Sequence, residues 1–299
     1  MDERPEIKTV AFIGLGVMGE AMCRNLARKG SWQVVGCDTR PEPMARLEAD
    51  GVKAAASLAE AAAGADVILL CLPGGKEVEA LTRGPGGLLG LVRAGQTVVD
   101  MSTAPPRLMR ELAPAFAQKG VDFADAPVAR TRRAAVDGTL SIMVGGSAPV
   151  FQRLQPILAT MGTEVTHCGA VGAGQVVKLM NNMVVFETTL AIAEAISIAE
   201  AAGVDGQLLL ETMAKGSADS FVLRNHGMKH LLPQDYPEGA FSVRYAQKDL
   251  SYARDLAKAA GIKARGADLV ATLFDEAIAV GDGDRYTPVI RKLMKDDGG

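Results

Sequence analysis

The sequence predicts an α/β protein: a doubly wound sheet in the N-terminal part, then an all-α C-terminal part reached through a long helix. Three observations carry that expectation. Short apolar runs alternate with helical stretches up to about residue 169, the signature of βαβ units and a parallel sheet. Beyond Gly174 the strand pattern disappears and helical patterns take over. The chain has 299 residues, 48% hydrophobic and 22% charged, enough for roughly two domains with substantial cores.

Taken in order, the candidate strands are 9–13, 33–37, 67–71, 97–99, 121–124 and 140–144, with an edge strand at 164–167. The first domain is expected to end near Gly169, giving domains 1–169 and 170–299. Residues 175–203, rich in Ala and Ile and stopping at Gly203, read as one long helix. That helix is the natural hinge and the back wall of an interdomain cleft, where ligand pockets concentrate. Further helices are expected at 205–215, 221–231, 246–260 and 263–280.

Composition excludes several classes. A net charge of −3 offers no global attraction to nucleic acid or to anionic membranes. The most apolar stretch, 183–202, carries Glu187, Glu194 and Glu200, which argues for a packed amphipathic helix and against a membrane span. Residues 1–8 lack the apolar segment of a secretory signal. Cys23, Cys37, Cys71 and Cys168 form no CxxC pair, which disfavours zinc or disulfides and fits a reducing, cytoplasmic setting. His167, His226 and His230 show no metal or triad spacing and read as surface or loop histidines; no metal site is expected.

"VAFIGLGVMGEAM" places Gly14, Gly16 and Gly19 in a G-x-G-x-x-G pattern after a strand and at a helix start. Gly14 permits the turn, Gly16 lets the backbone approach a pyrophosphate, and Gly19 lets helix and strand pack closely. With Leu15, Val17 and Met18 they form the expected phosphate loop, the helix N-terminus providing N–H donors. Asp38 ends the second strand 19 positions past Gly19. A carboxylate there accepts from both ribose hydroxyls and repels a 2′-phosphate, favouring NAD over NADP. Arg40 could pair with that phosphate and tempers the preference. Leu72 and Pro73 end the third strand and Ser102 and Thr103 follow the fourth, on the carboxyl edge where ligands gather. Ser102 or Thr103 could bond the nicotinamide amide, or could instead cap the helix that follows.

"GAVGAGQVVKLMNNM" supplies candidate chemistry. Lys178 and Asn182 lie four apart on one helical face. Hydride transfer to a carbonyl leaves an alkoxide needing a proton, and the reverse needs a base; a desolvated lysine can serve both. Asn182 could orient the ammonium or hold the substrate hydroxyl, with Asn181 pointing about 100° away. The alternative is a surface lysine lying over an apolar helix.

Together "GLGVMG", "DAPV" with "GTL", "GAVGAGQVVKLMNN" and "KDL" (248–250), in that order over nearly the whole chain, resemble the β-hydroxyacid dehydrogenase family. That family includes 3-hydroxyisobutyrate dehydrogenase, tartronate semialdehyde reductase and 3-sulfolactaldehyde reductase. The resemblance implies a Rossmann domain, an all-α second domain, and homodimers or homotetramers built through the helical parts. It implies that Lys178 is the general acid/base, Asn182 its substrate-holding neighbour, and Lys248 a second lysine closing over the cofactor.

It also identifies "DAPVARTRRAAVDGTL", 125–140, as the substrate loop. The family usually continues Asp-Ala-Pro-Val with Ser-Gly-Gly; here Ala129, Arg130 and Thr131 stand instead. Arginine presents a planar fork for carboxylate or sulfonate oxygens, so Arg130, with Thr131, is expected to hold the substrate anion, while Arg132 and Arg133 point outward. The Arg-Thr pair resembles sulfolactaldehyde reductases, but Val185 replaces the serine that group carries seven residues after its lysine. Ser217, Ser220 and Arg224 are further possible contacts, Ser220 equally a helix cap. The function implied is an NAD-dependent interconversion of a short anionic 3-hydroxy acid, or a sulfonate analogue, with its semialdehyde. Two other readings fit the same fold: imine or ketone reduction on a larger substrate, and a non-catalytic NAD-sensing protein. Lys178 and the added arginine disfavour the first, and the Lys178/Asn182/Lys248 set disfavours the second.

Overall fold

The computed structural model describes residues 6–294. Nine strands form one sheet: β1 (Thr9–Ile13), β2 (Gln33–Cys37), β3 (Lys53–Ala54), β4 (Val67–Leu70), β5 (Thr97–Asp100), β6 (Asp122–Asp125), β7 (Val128–Ala129), β8 (Leu140–Gly145) and β9 (Gly162–Gly169). Their order is β3-β2-β1-β4-β5-β6-β8-β7, with β9 paired to β8. β1 to β6 are mutually parallel, the doubly wound order with its switch point beside β1. The expected all-parallel sheet stops there: β8 runs antiparallel to β6 and β7, and β9 is an eight-residue strand parallel to β8. β3 and β7 have two residues each, too short to show a period in sequence.

The central strands explain the layering. Val10, Phe12, Val67, Leu69 and Val99 belong to one core, whereas Ala11, Ile13, Ile68, Leu70 and Val98 belong to another. Successive side chains point to opposite faces of a strand, so runs apolar at every position feed both layers and require helices on both sides. Those helices are α1 (Gly19–Lys29), α2 (Pro41–Glu48), α3 (Leu58–Ala63), α4 (Gly75–Arg83), α5 (Leu88–Leu91), α6 (Pro106–Ala117), α7 (Arg132–Asp137) and α8 (Ala148–Leu158).

The 29-residue α9 (Ala173–Ala201) follows, and the chain divides within it into two compact units, between Lys178 and Leu179. The second unit is helical: α10 (Gly206–Met213), a π-helix (Leu223–Leu231), α11 (Val243–Ala259), α12 (Arg265–Ala279) and a 3₁₀ segment (Thr287–Met294). α9 is long and apolar enough to cross a membrane by length and composition. Its side chains instead build two cores of the second unit: Phe186 and Leu190 pack with Leu250, Val270 and Phe274, and Ile192 and Ile196 with Leu210, Leu223 and Leu231.

His226 departs from the sequence expectation. It is buried on the π-helix, its ring nitrogens meeting the Thr189 hydroxyl at 3.4 Å and the Tyr286 hydroxyl at 3.1 Å. Burial, with a smaller contribution from His230, pushes its pKa down to about 4. Aromatic and hydroxyl partners far along the chain gave its sequence neighbourhood no distinguishing pattern.

Candidate active site

The glycine loop has the shape its pattern requires. Gly14 has φ +91°, and a Cβ there would strike the Cys71 carbonyl; a Cβ on Gly19 would strike the Gly14 carbonyl. Gly16 differs: an added Cβ would meet nothing within 4 Å. Two glycines are therefore demanded by packing, and the third leaves open space beside the backbone. α1 starts with Met18 at its N-cap and no side-chain cap, so its first-turn N–H groups are suited to phosphate. This cradle fits the pyrophosphate of a dinucleotide.

Asp38 sits beside it. Its Oδ2 accepts the Leu15 N–H at 2.7 Å, and its Oδ1 accepts from the Arg40 backbone N–H at 2.9 Å and Nε at 3.2 Å. Arg40 also donates to the Leu15 carbonyl. Burial pushes the Asp38 carboxyl up, but these N–H donors and the guanidinium charge hold it below the usual carboxylate range.

The carboxyl edge of the sheet carries a connected, buried polar network. Ser102 Oγ accepts the Leu72 N–H at 2.9 Å, and the Ser102 N–H donates to Asp100 Oδ1 at 3.1 Å. Gln175 Nε2 donates to the Ser102 carbonyl at 2.7 Å, while its Oε1 accepts the Ala104 N–H at 3.1 Å. Asp125, at the end of β6, accepts the Gly172 N–H at 2.5 Å and the Gln175 N–H at 2.8 Å. Burial pushes the Asp125 pKa up to about 6, against those bonds and the Arg110 charge. The capping alternative for Ser102 and Thr103 fails: α6 has Pro105 at its N-cap and no side-chain cap. Pro73 follows Leu72 at this edge, and Thr103 stands between the two residues that Gln175 grips.

Lys178 follows Gln175 by three residues on α9 and is 8% exposed. In the second unit, Asn182 is buried and donates to Asp249 Oδ2 at 2.8 Å; Asn181 is exposed and donates to Asn182 Oδ1 at 3.2 Å. Lys248 pairs with Asp249 Oδ1 at 2.8 Å, its ammonium 4.2 Å from the Tyr245 ring centre. Val185 packs against both cores of this unit.

Arg130 adopts φ +85°, a conformation that costs a side chain about 1–2 kcal/mol and that glycine takes freely. Its guanidinium donates to the Thr139 carbonyl at 2.5 Å and Thr163 Oγ1 at 3.1 Å. Thr131 caps α7 through the Ala134 N–H. Arg132 and Arg133 are exposed, the latter paired with Asp137. Arg224 forms two bonds with Asp219, and Ser220 accepts the Leu223 N–H. Ser217 is exposed.

Residues 9–169 match the model of the NAD binding domain of 6-phosphogluconate dehydrogenase, and 172–293 match that for NAD-binding of NADP-dependent 3-hydroxyisobutyrate dehydrogenase. The chain belongs to the β-hydroxyacid dehydrogenase family. Among its relatives, 2-(hydroxymethyl)glutarate dehydrogenase of Eubacterium barkeri is 33% identical over 96% of this chain and 94% of its own. The 3-hydroxyisobutyrate dehydrogenase of Pseudomonas aeruginosa is 37% identical over 85% and 86%. A solved Mycobacterium tuberculosis 3-hydroxyisobutyrate dehydrogenase with L-serine superposes with a TM-score of 0.88, at 31% identity over 97% of this chain and 99% of that one.

This β-hydroxyacid dehydrogenase is thus an NAD(P)-dependent oxidoreductase of CH–OH groups acting on small hydroxy acids. Sequence reasoning gave no roles to Asp100, Asp125, Gln175 or Asp249. Asp125 lies in "DAPV" and Gln175 in "GAVGAGQVVKLMNN", where the available signal is a polar residue in an otherwise apolar or glycine-rich stretch. Asp249 is the acidic middle of "KDL", and its orienting of Asn182 spans 67 positions, which no local pattern reports.

Proposed function

We propose that this dehydrogenase interconverts a short 3-hydroxy acid and its semialdehyde, with NAD preferred and Lys178 exchanging the proton. One observation carries the reading: Lys178 is buried just beyond a helix start that Asp125 ties to the carboxyl edge of the sheet, beside the glycine cradle's edge of the domain. A bound nicotinamide supplies or accepts the hydride. Lys178 protonates the nascent alkoxide or withdraws its proton, an amine withheld from bulk water being suited to that exchange. Asn182, held by Asp249 and Asn181, orients the substrate hydroxyl. Gly14 to Gly19 with Leu72, Pro73, Ser102, Thr103 and Lys248 receive the cofactor, and Asp38 takes the ribose.

The loop of Arg130 and Thr131 receives the substrate anion. Arg130 is engaged with Thr139 and Thr163, and Thr131 with a helix start, which favours a carboxylate held mainly by the loop over a sulfonate. The exposed Val184 and Ile198 on α9 support assembly as a homodimer or homotetramer. Lys178→Met should lower turnover by about 10²- to 10⁴-fold while NADH fluorescence titration shows binding retained; near-normal turnover would reject the role. Initial rates across methylmalonate, tartronate and succinic semialdehydes, glyoxylate and sulfolactaldehyde identify the anion. A sulfolactaldehyde rate above every carboxylate would reverse the preference.

A further inference from the structure

We infer that Asp125 and Gln175 are positioning residues for the proton transfer, setting Lys178 against the sheet edge through the first turn of α9. The inference rests on Lys178 being the acid/base. Three features support it. Asp125 has no exposure, and its two oxygens take two different N–H groups at the helix start. A helix cap of the ordinary kind needs only one side-chain oxygen at the surface.

The carboxylate is also seated in a socket. A Cβ on Gly145 would strike Asp125 Oδ1, and one on Gly174 would strike the Met143 carbonyl and approach Asp125 Oδ2 to 2.8 Å. Both neighbours have been reduced to hydrogen so that carboxylate and helix can close together. Gln175 then clamps the same turn from the other side. Its amide spans the Ser102 carbonyl and the Ala104 N–H, and Ser102 is joined in turn to Leu72 and Asp100.

The helix start is therefore fixed to the ends of β4, β5 and β6. Those ends carry Leu72, Pro73, Ser102 and Thr103, the residues proposed to line the nicotinamide. Lys178 lies three residues beyond Gln175, about 4.5 Å along the axis. Over so short a distance a helix transmits position without slack. A misplacement of about 1 Å can cost about 10²-fold in rate, so a pin at this turn bears on kcat rather than on binding.

The test is a double-mutant cycle. Asp125→Asn keeps the shape but loses one acceptor; Gln175→Met loses both amide bonds; Gln175→Glu keeps the bond from Ala104. Asp125→Asn and Gln175→Met should each lower kcat about 10- to 100-fold, with KM and the NADH Kd within about 3-fold of wild type. Gln175→Glu should fall less than Gln175→Met. In a Lys178→Met background, single-turnover NADH oxidation at high enzyme concentration should show each added change costing under about 2-fold. Equal losses with and without Lys178, KM and Kd rising by as much as kcat falls, or unchanged kcat in folded variants would each overturn the inference. If Asp125→Asn does not fold, the two Gln175 variants decide the outcome. Near-normal turnover of Lys178→Met alone strikes the acid/base reading itself and is read separately.

Discussion

The carboxyl edge of the sheet and the Thr189–His226–Tyr286 cluster of the helical second unit both bury polar side chains, but they satisfy them differently. At the sheet edge Asp125 and Gln175 bond backbone N–H and C=O groups of several loops. In the helical unit Thr189, His226 and Tyr286 bond one another, inside apolar surroundings. Backbone groups cannot rotate away, so the first arrangement ties the helix start to fixed points of several loops. Side-chain groups can adapt, so the second fills space and tolerates change. The first arrangement lies beneath the residues proposed to handle cofactor and proton.

A matched pair of glycines should break or sharpen that contrast most strongly. Gly174 faces backbone at Met143 and Gly145 and the seated Asp125 carboxylate, whereas the nearest atoms to a Cβ on Gly227 are Ile192 Cγ2 at 3.3 Å and Leu210 Cδ1 at 3.5 Å. Gly174→Ala should therefore cost about 3 kcal/mol or more in thermal or urea unfolding. Gly227→Ala should stay within about 1 kcal/mol of wild type, the tight methyl contacts offsetting the helix-propensity gain. Equal costs would show that the two units are packed alike.

Acid should act on the regions in opposite senses. His226 falls to about 4 when folded. The unfolded chain therefore takes up its proton first as pH drops below about 6.5, and stability is lost from there down through about 4, by up to about 3 kcal/mol. Asp125 is raised to about 6, so its contribution is greatest below about 3.8 and is lost as pH rises through 6. Arg110 and Cys168 are the titratable groups coupled to Asp125, and Asp100 lies beside it in register on β5; His230 is coupled to His226. His226→Gln should flatten the loss of stability between pH 6.5 and 4, while Asp125→Asn should steepen it by removing the opposing contribution. The two profiles changing in the same direction would refute the assignment.

The same contrast explains what the sequence disclosed. The glycine loop, the strands β1, β2, β4 and β5, and the long helix were legible because their causes are local: φ at Gly14, clearance at Gly16, apolar runs buried on both faces. The antiparallel direction of β8 was not, because Gly138 and Thr139 signal a turn after α7 without saying which strand the chain then joins. Arg130 is the instructive case. Its side-chain chemistry suggested an anion ligand, yet its backbone holds a glycine-like conformation and its guanidinium bonds Thr139 and Thr163. A residue type reports what a side chain can bond, and only the backbone decides which partner it reaches.

The smallest expected effect lies at Asp38, the residue proposed to take the ribose. It is doubly engaged, its Oδ2 on the glycine-loop Leu15 N–H and its Oδ1 on Arg40. Arg40 thus has an ion-pair partner already and meets a 2′-phosphate only by leaving it, while the carboxylate repels that phosphate. Asp38→Asn removes the repulsion and releases Arg40 together, so the ratio of kcat/KM for NADH over NADPH should narrow by about 10-fold, near 1.4 kcal/mol. Arg40→Ala isolates the second part: it should leave NADH kinetics nearly unchanged and weaken NADPH by a few-fold. A NADPH rate untouched by Arg40→Ala would mean that the guanidinium only braces Asp38 against the loop, and the cofactor preference would then rest on the carboxylate alone.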